Sequence, residues 1–327
     1  MSRGAGGEKI RALVFEDNKL ELVDKARPDP NEDEVLIKVK MAGICNTDLE
    51  ITAGYLDFNG TLGHEFVGVV KKDPAGNGEL VGERVVGSIN IPCGECYLCE
   101  RGIDNHCVNM KSIGMRGKDG AFAEYLTLAR SNIHKVPPEI SDKEAVLVEP
   151  LAAAMEIIEE QHIKPSDEVV ILGDGKLGLS VARVLWGAAK DPKLIGKHKN
   201  KLAKVEDLGI DSYLLGEYSG HADVVVECTG SSSGLQTALK HIRPRGTIVL
   251  KTTTADLNDI NMSRVAVDEI NIVGSRCGPF APTLKMMENN DLALEEMIDE
   301  IYDFENALDA FERAKESDSL KVLLRID

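Results

Sequence analysis

Four of the chain's seven cysteines are Cys93, Cys96, Cys99 and Cys107, in a C-x₂-C-x₂-C-x₇-C pattern. Four thiolates this close suit a closed tetrahedral zinc site, which ties a loop together and leaves no position open for substrate. An iron–sulfur run of bacterial ferredoxin type has a shorter last gap and a proline after the final cysteine. Here seven residues intervene and Val108 follows, so zinc is the expectation. A second metal-capable pair is Cys45, in Gly43-Ile44-Cys45-Asn46-Thr47-Asp48, and His64, in Gly63-His64-Glu65. Thiolate and imidazole both ligate zinc, although a single histidine after a glycine is more often a turn or core residue. Cys228 and Cys277 stand alone and read as small buried residues.

Phosphate-binding chemistry is concentrated in Gly173-Asp174-Gly175-Lys176-Leu177-Gly178. The apolar run Val169-Val170-Ile171-Leu172 precedes it, and an amphipathic run with Leu177, Val181, Val184 and Leu185 on one face follows. A G-x-G-x-x-G between strand and helix brings a pyrophosphate close to backbone and faces it with a helix N-terminus. An NAD site usually adds an acid roughly 20 residues downstream, on the ribose 2′-hydroxyl. After Leu194-Ile195 the chain has Gly196-Lys197-His198-Lys199 instead. A missing carboxylate together with cations makes room for a 2′-phosphate, so the expectation is NADP, bound through Gly173, Gly175, Lys176, Leu177, Gly178, Gly196, Lys197 and His198, with NAD as the alternative.

The elements around these residues divide the chain in two. Up to residue 149 the sequence alternates apolar strands, such as Val35–Lys40 and Phe66–Val70, with Gly, Pro, Asn and Asp turns. After Pro150, strands near residues 169–172, 194–195, 224–226, 247–250 and 270–273 alternate with helices, one of them over about 200–208 and another near 234–241. That alternation predicts a parallel sheet covered on both faces, an α/β fold. The expected domains are 1–149, β-rich with the cysteine lobe at 93–107; 150–276, dinucleotide-binding; and 277–327, returning to the first.

Composition limits the function classes. With 327 residues there is length for two cores, and a net charge of −17 argues against a nucleic-acid or anionic-membrane partner. No run is long and apolar enough for a membrane span, and Met1–Lys9 lacks the apolar core of a signal peptide. A cytoplasmic location is the expectation.

Taken together and in this order, the Gly63-His64-Glu65 segment, the four-cysteine lobe, Val148-Glu149-Pro150-Leu151 and the glycine loop resemble the zinc-dependent medium-chain dehydrogenase/reductase family of alcohol, sorbitol and threonine dehydrogenases. The resemblance spans nearly the whole chain. It implies a GroES-like β-rich catalytic domain with a Rossmann domain, two zinc ions, a small alcohol or carbonyl substrate, and a homodimer or homotetramer. Cys45, His64 and Glu149 correspond to ligands of the catalytic zinc, with Glu65 as a further candidate. Thr47 corresponds to the hydroxyl that takes the substrate proton, and Asp48 to a carboxylate that orients the site. Glu50 stands where several relatives carry a histidine at the outer end of the proton relay. The alternatives are an NAD-dependent polyol or threonine-type dehydrogenase, and a non-catalytic zinc-binding member of the fold.

Overall fold

The computed structural model describes residues 8–253 and 260–327. The chain divides into one unit running to Glu149 and resumed over Ile298–Asp327, and a second over Pro150–Met297.

In the first unit, the apolar run read from sequence becomes the strand Glu34–Gly43, the hub of the larger sheet. Glu65–Lys72 pairs antiparallel along one edge and Lys321–Arg325 along the other. The register places Glu65 beside Gly43 on one side and Leu323 beside Gly43 on the other. Three strand ends therefore converge. The hub strand leads directly to Cys45, the second strand begins at Glu65 next to His64, and the third begins at Lys321. Val35, Ile37, Val39, Val67, Val70, Val322 and Leu323 are all buried, which holds these ends in place.

In the second unit, six strands form a parallel sheet in the spatial order Ser212–Leu214, Pro192–Gly196, Val169–Leu172, Ala222–Glu227, Ile242–Leu250, Asn271–Gly274. In chain order this is 3-2-1-4-5-6, the doubly wound dinucleotide-binding arrangement. The expected helix over 200–208 is a single short turn, Lys199–Leu202, that tightens into 3-10 geometry over Ala203–Leu208 and ends at Gly209. The strand Ser212–Leu214 had no counterpart among the sequence expectations.

The second crossing between units differs from the expected 276/277. The helix Phe280–Asn289 buries Phe280, Leu284 and Met287, and the Leu292 carbonyl accepts from the buried Arg183 guanidinium at 3.0 Å. Arg183 lies on the helix Lys176–Gly187, so this stretch packs with the parallel-sheet unit and the return begins at Ile298.

No helix among the described residues is long and apolar enough to cross a membrane.

Candidate active site and cofactor loop

Cys45 is the N-cap of the helix Asn46–Thr52, and Asp48 closes that turn by accepting from the Cys45 N–H at 2.8 Å. The same fully buried carboxylate accepts from the Gly63 N–H at 3.2 Å and lies 3.4 Å from His64 Nδ1. Asp48 thus ties together the two backbone segments that carry Cys45 and His64. With Nδ1 facing Asp48, Nε2 is the nitrogen left to a metal. Burial lowers the His64 pKa, but the Asp48 carboxylate and the Cys45 thiolate outweigh it and raise it well above the ordinary value.

One donor atom each from Cys45, His64 and Glu65 lies within 4.8 Å of the others. Glu149, expected as the third ligand, sits in the first turn of the helix Val148–Glu160 and is not among these three. Glu65, expected only as a further candidate, is. The reason is the strand register, which starts Glu65–Lys72 next to Gly43 and turns its first side chain toward Cys45.

Lys321 was not foreseen. Its ammonium donates to both Glu65 oxygens, at 2.7 and 2.5 Å, and both side chains are 1% exposed. Burial lowers the Lys321 pKa, while Glu65, Cys45 and Glu149 together raise it above the usual lysine value. Glu149 therefore belongs to the same electrostatic neighbourhood. Thr47 Oγ1 lies 3.8 Å from Cys45 Sγ, and Glu50, one helical turn on, accepts from the Asn46 side chain at 2.8 Å.

The four cysteines of the lobe also converge. Sulfur separations are 3.4 Å for Cys93–Cys107, 3.5 Å for Cys96–Cys99 and 3.8 Å for Cys96–Cys107. A tetrahedron with zinc–sulfur bonds of about 2.3 Å has edges of about 3.8 Å, so this donor set fits one zinc ion. Backbone N–H groups of Cys99 and Val108 lower the Cys96 thiol to about 6. Burial and the neighbouring Cys96 and Cys107 raise Cys99 to about 12.

In the parallel-sheet unit, Gly173 follows the strand Val169–Leu172 and Gly175 caps the helix Lys176–Gly187 with no side chain on its first N–H groups. A Cβ on Gly178 would lie 1.9 Å from the Gly173 carbonyl oxygen, so the helix can start this close to the strand only with glycine there. At the next strand end Lys197 and His198 are exposed. Their backbone N–H groups donate to Asp174 Oδ2 at 2.7 and 2.6 Å.

Two family models match, "Alcohol dehydrogenase GroES-like domain" over residues 31–138 and "Zinc-binding dehydrogenase" over residues 175–292. The erythritol/L-threitol dehydrogenase of Mycolicibacterium smegmatis is 31% identical across 95% of this chain and 96% of its own length. The chain belongs to the zinc-dependent medium-chain dehydrogenase/reductase family. Its class of reaction is zinc-dependent oxidoreduction of an alcohol with a nicotinamide cofactor. Among solved structures, one described as a short chain alcohol dehydrogenase (rspB) from Escherichia coli CFT073, complexed with NADH, superposes with a TM-score of 0.91 at 26% identity, covering 98% of this chain and 100% of that one. A zinc-binding dehydrogenase of Sinorhizobium meliloti 1021, bound to NADP, gives 0.87 at 25% identity with the same coverage. Family membership accounts for the β-rich and doubly wound architectures and for the two metal-capable clusters. The two solved relatives carry different dinucleotides, so membership leaves the form of the cofactor to this chain's own residues.

Proposed function

We propose that the chain oxidises a small polyol or secondary alcohol reversibly, with a catalytic zinc held by Cys45 and His64 and a structural zinc held by Cys93, Cys96, Cys99 and Cys107. The observation that carries this reading is the convergence of Cys45, His64 and Glu65 donors within 4.8 Å. When bound, the metal supplies a Lewis acid for the substrate oxygen and the nicotinamide supplies the hydride acceptor. The chain's own residues do the rest. Asp48 fixes the His64 ring, and Thr47 takes the hydroxyl proton beside Cys45. Glu50, three residues further along the helix and on the same face, passes the proton toward solvent.

The third protein ligand is a carboxylate. Glu65 is already gathered with Cys45 and His64, with Lys321 holding its charge, and Glu149 is the second carboxylate of the same neighbourhood. Lys321 and a bound zinc would together supply three positive charges against the Cys45 thiolate and the carboxylates of Glu65, Glu149 and the buried Asp48, so most of the acidic charge gathered here would be compensated. A polyol is favoured because the erythritol/L-threitol enzyme aligns along nearly the full length of this chain.

Cofactor choice turns on the strand end at Gly196. Exposed Lys197 and His198 favour NADP, as the sequence expectation had it. The Asp174 carboxylate, bonded to that strand end from the glycine loop, favours NAD, and NAD is the cofactor proposed. A homo-oligomer is also proposed, because Asn271–Gly274 ends the parallel sheet among the described residues and Met262 and Val267 lie exposed just before it.

The test combines metal analysis with turnover. Wild type should hold two zinc ions per chain and form reduced cofactor from C4–C6 polyols. Cys45→Ser should keep one zinc and lose turnover. Glu65→Gln and Glu149→Gln, compared for zinc content, identify the direct carboxylate ligand. A folded, fully metallated protein with no activity on any alcohol, polyol or threonine would refute the reading.

A further inference from the structure

The first variable position of the glycine loop carries an acid, and its placement bears on cofactor choice. Asp174 is 6% exposed. Its Oδ2 accepts from the Lys197 and His198 N–H groups at 2.7 and 2.6 Å, and both its oxygens lie 3.1 Å from His198 Nδ1. Successive N–H groups on a turn form a nest for an anion, and here the anion is part of the protein. These bonds hold the Asp174 pKa below the ordinary aspartate value in spite of burial.

Gly196 has no side chain, but the space beside it is filled. A Cβ built there would lie 2.4 Å from Asp174 Oδ2, 2.5 Å from its Cβ and 2.6 Å from its Cγ. In NAD sites this strand end supplies an acid of its own. In this chain a carboxyl group occupies the same place, reached from the glycine loop. The absence of an acid near position 196 is therefore not an absence of negative charge.

Building on the nicotinamide-enzyme reading, we propose that Asp174 is the residue that selects the cofactor. Seated in the N–H nest of the Gly196-Lys197-His198 turn, its carboxylate excludes a 2′-phosphate, and the protein prefers NAD(H) to NADP(H). A 2′-phosphate brings about two negative charges. It would meet an ionised carboxylate where it needs donors, and both backbone donors are already taken. His198 turns its Nδ1 to Asp174, so any imidazolium charge is paired before a phosphate arrives. Lys197 and Lys199 are exposed, where solvent and salt screen them.

The test is equilibrium binding to the zinc-loaded protein, followed by NADH and NADPH fluorescence, with 5′-AMP and 2′-AMP as competitors. Wild type should bind NADH at least about tenfold more tightly than NADPH, and 5′-AMP should displace NADH at concentrations where 2′-AMP does not. Asp174→Asn keeps the shape and removes the charge, and should shift the NADPH/NADH preference by about tenfold toward NADPH. Asp174→Ser, which also empties the nest, should shift it at least as far. Tighter or equal NADPH binding by wild type overturns the proposal while leaving the dehydrogenase reading intact. An unchanged preference in both variants does the same. If neither dinucleotide binds, the dehydrogenase reading falls and takes the proposal with it.

Discussion

Replacing Lys321 with methionine tests the buried centre most directly. Methionine keeps much of the stem's volume and removes the charge, leaving the Glu65 carboxylate 1% exposed with neither of its 2.7 and 2.5 Å bonds. Breaking a buried pair from one side costs about 3–5 kcal/mol, because the remaining charge is neither solvated nor paired. Against a total of about 5–15 kcal/mol for a domain, that is a large fraction. At about 2–4 °C per kcal/mol for a unit of this size, the unfolding midpoint of the metal-free protein should fall by about 6–20 °C.

The double variant Lys321→Met/Glu65→Gln removes both charges. It should lose less than the sum of the two singles, with a coupling of about 2 kcal/mol or more. Zinc should shrink the loss in Lys321→Met, because the metal takes over as counter-charge for Glu65. The pH dependence has a fixed sign. Lys321 titrates above the ordinary lysine value in the folded protein, so its contribution is complete below about pH 10.4 and fades only as pH rises through the folded value. The assay is calorimetry or urea unfolding of the four proteins, with and without zinc. Additivity within about 0.5 kcal/mol, or a stability gap that closes at neutral pH, would refute the reasoning.

Other outcomes follow from the same geometry. Cys99→Ser should remove one zinc per chain and lower the unfolding midpoint while the Cys45 site keeps its metal, as read by metal analysis and calorimetry together. Thr47→Val should lower turnover by about a hundredfold and Thr47→Ser only slightly; equal rates for wild type and Thr47→Val would remove the hydroxyl from the proton path.

What could be read from the sequence was whatever depends on neighbours in the chain. The cysteine lobe declares itself because all four donors fall between Cys93 and Cys107, and Gly173-Asp174-Gly175 because the strand and helix that give it meaning adjoin it. The central strands were legible as apolar runs. Ser212–Leu214 was not, being a strand of only three residues, all half-buried, too short to show an alternation. Glu65 and Lys321 lie 256 positions apart, so nothing local marks Lys321 except a charge at the head of the apolar run Val322-Leu323-Leu324. A lysine there reads as a strand terminus facing water. The register against Gly43 makes it a core residue instead. Asp174 was hidden differently, since it occupies a position that the fingerprint leaves variable. An acid at that place, together with a glycine where an acid was sought downstream, was the available signal.

The buried pairing at this site closes only after the inserted second unit. Cys45, His64 and Glu65 are delivered by segments that lie close together in the chain, and they bring the Glu65 carboxylate into a space where burial penalises charge. The ammonium that offsets Glu65 sits on Lys321–Arg325, which reaches the hub strand only after the whole of Pro150–Met297 has been traversed. Until that strand pairs, Glu65 has no buried counter-charge and the site has reason to stay open and hydrated. Once Leu323 sits beside Gly43, Lys321 is sealed in at 1% exposure and the carboxylate is fixed beside Cys45 and His64. The return strand therefore fixes the Glu65 carboxylate in the metal-free protein, and a bound zinc would compete with the Lys321 ammonium for the same oxygens.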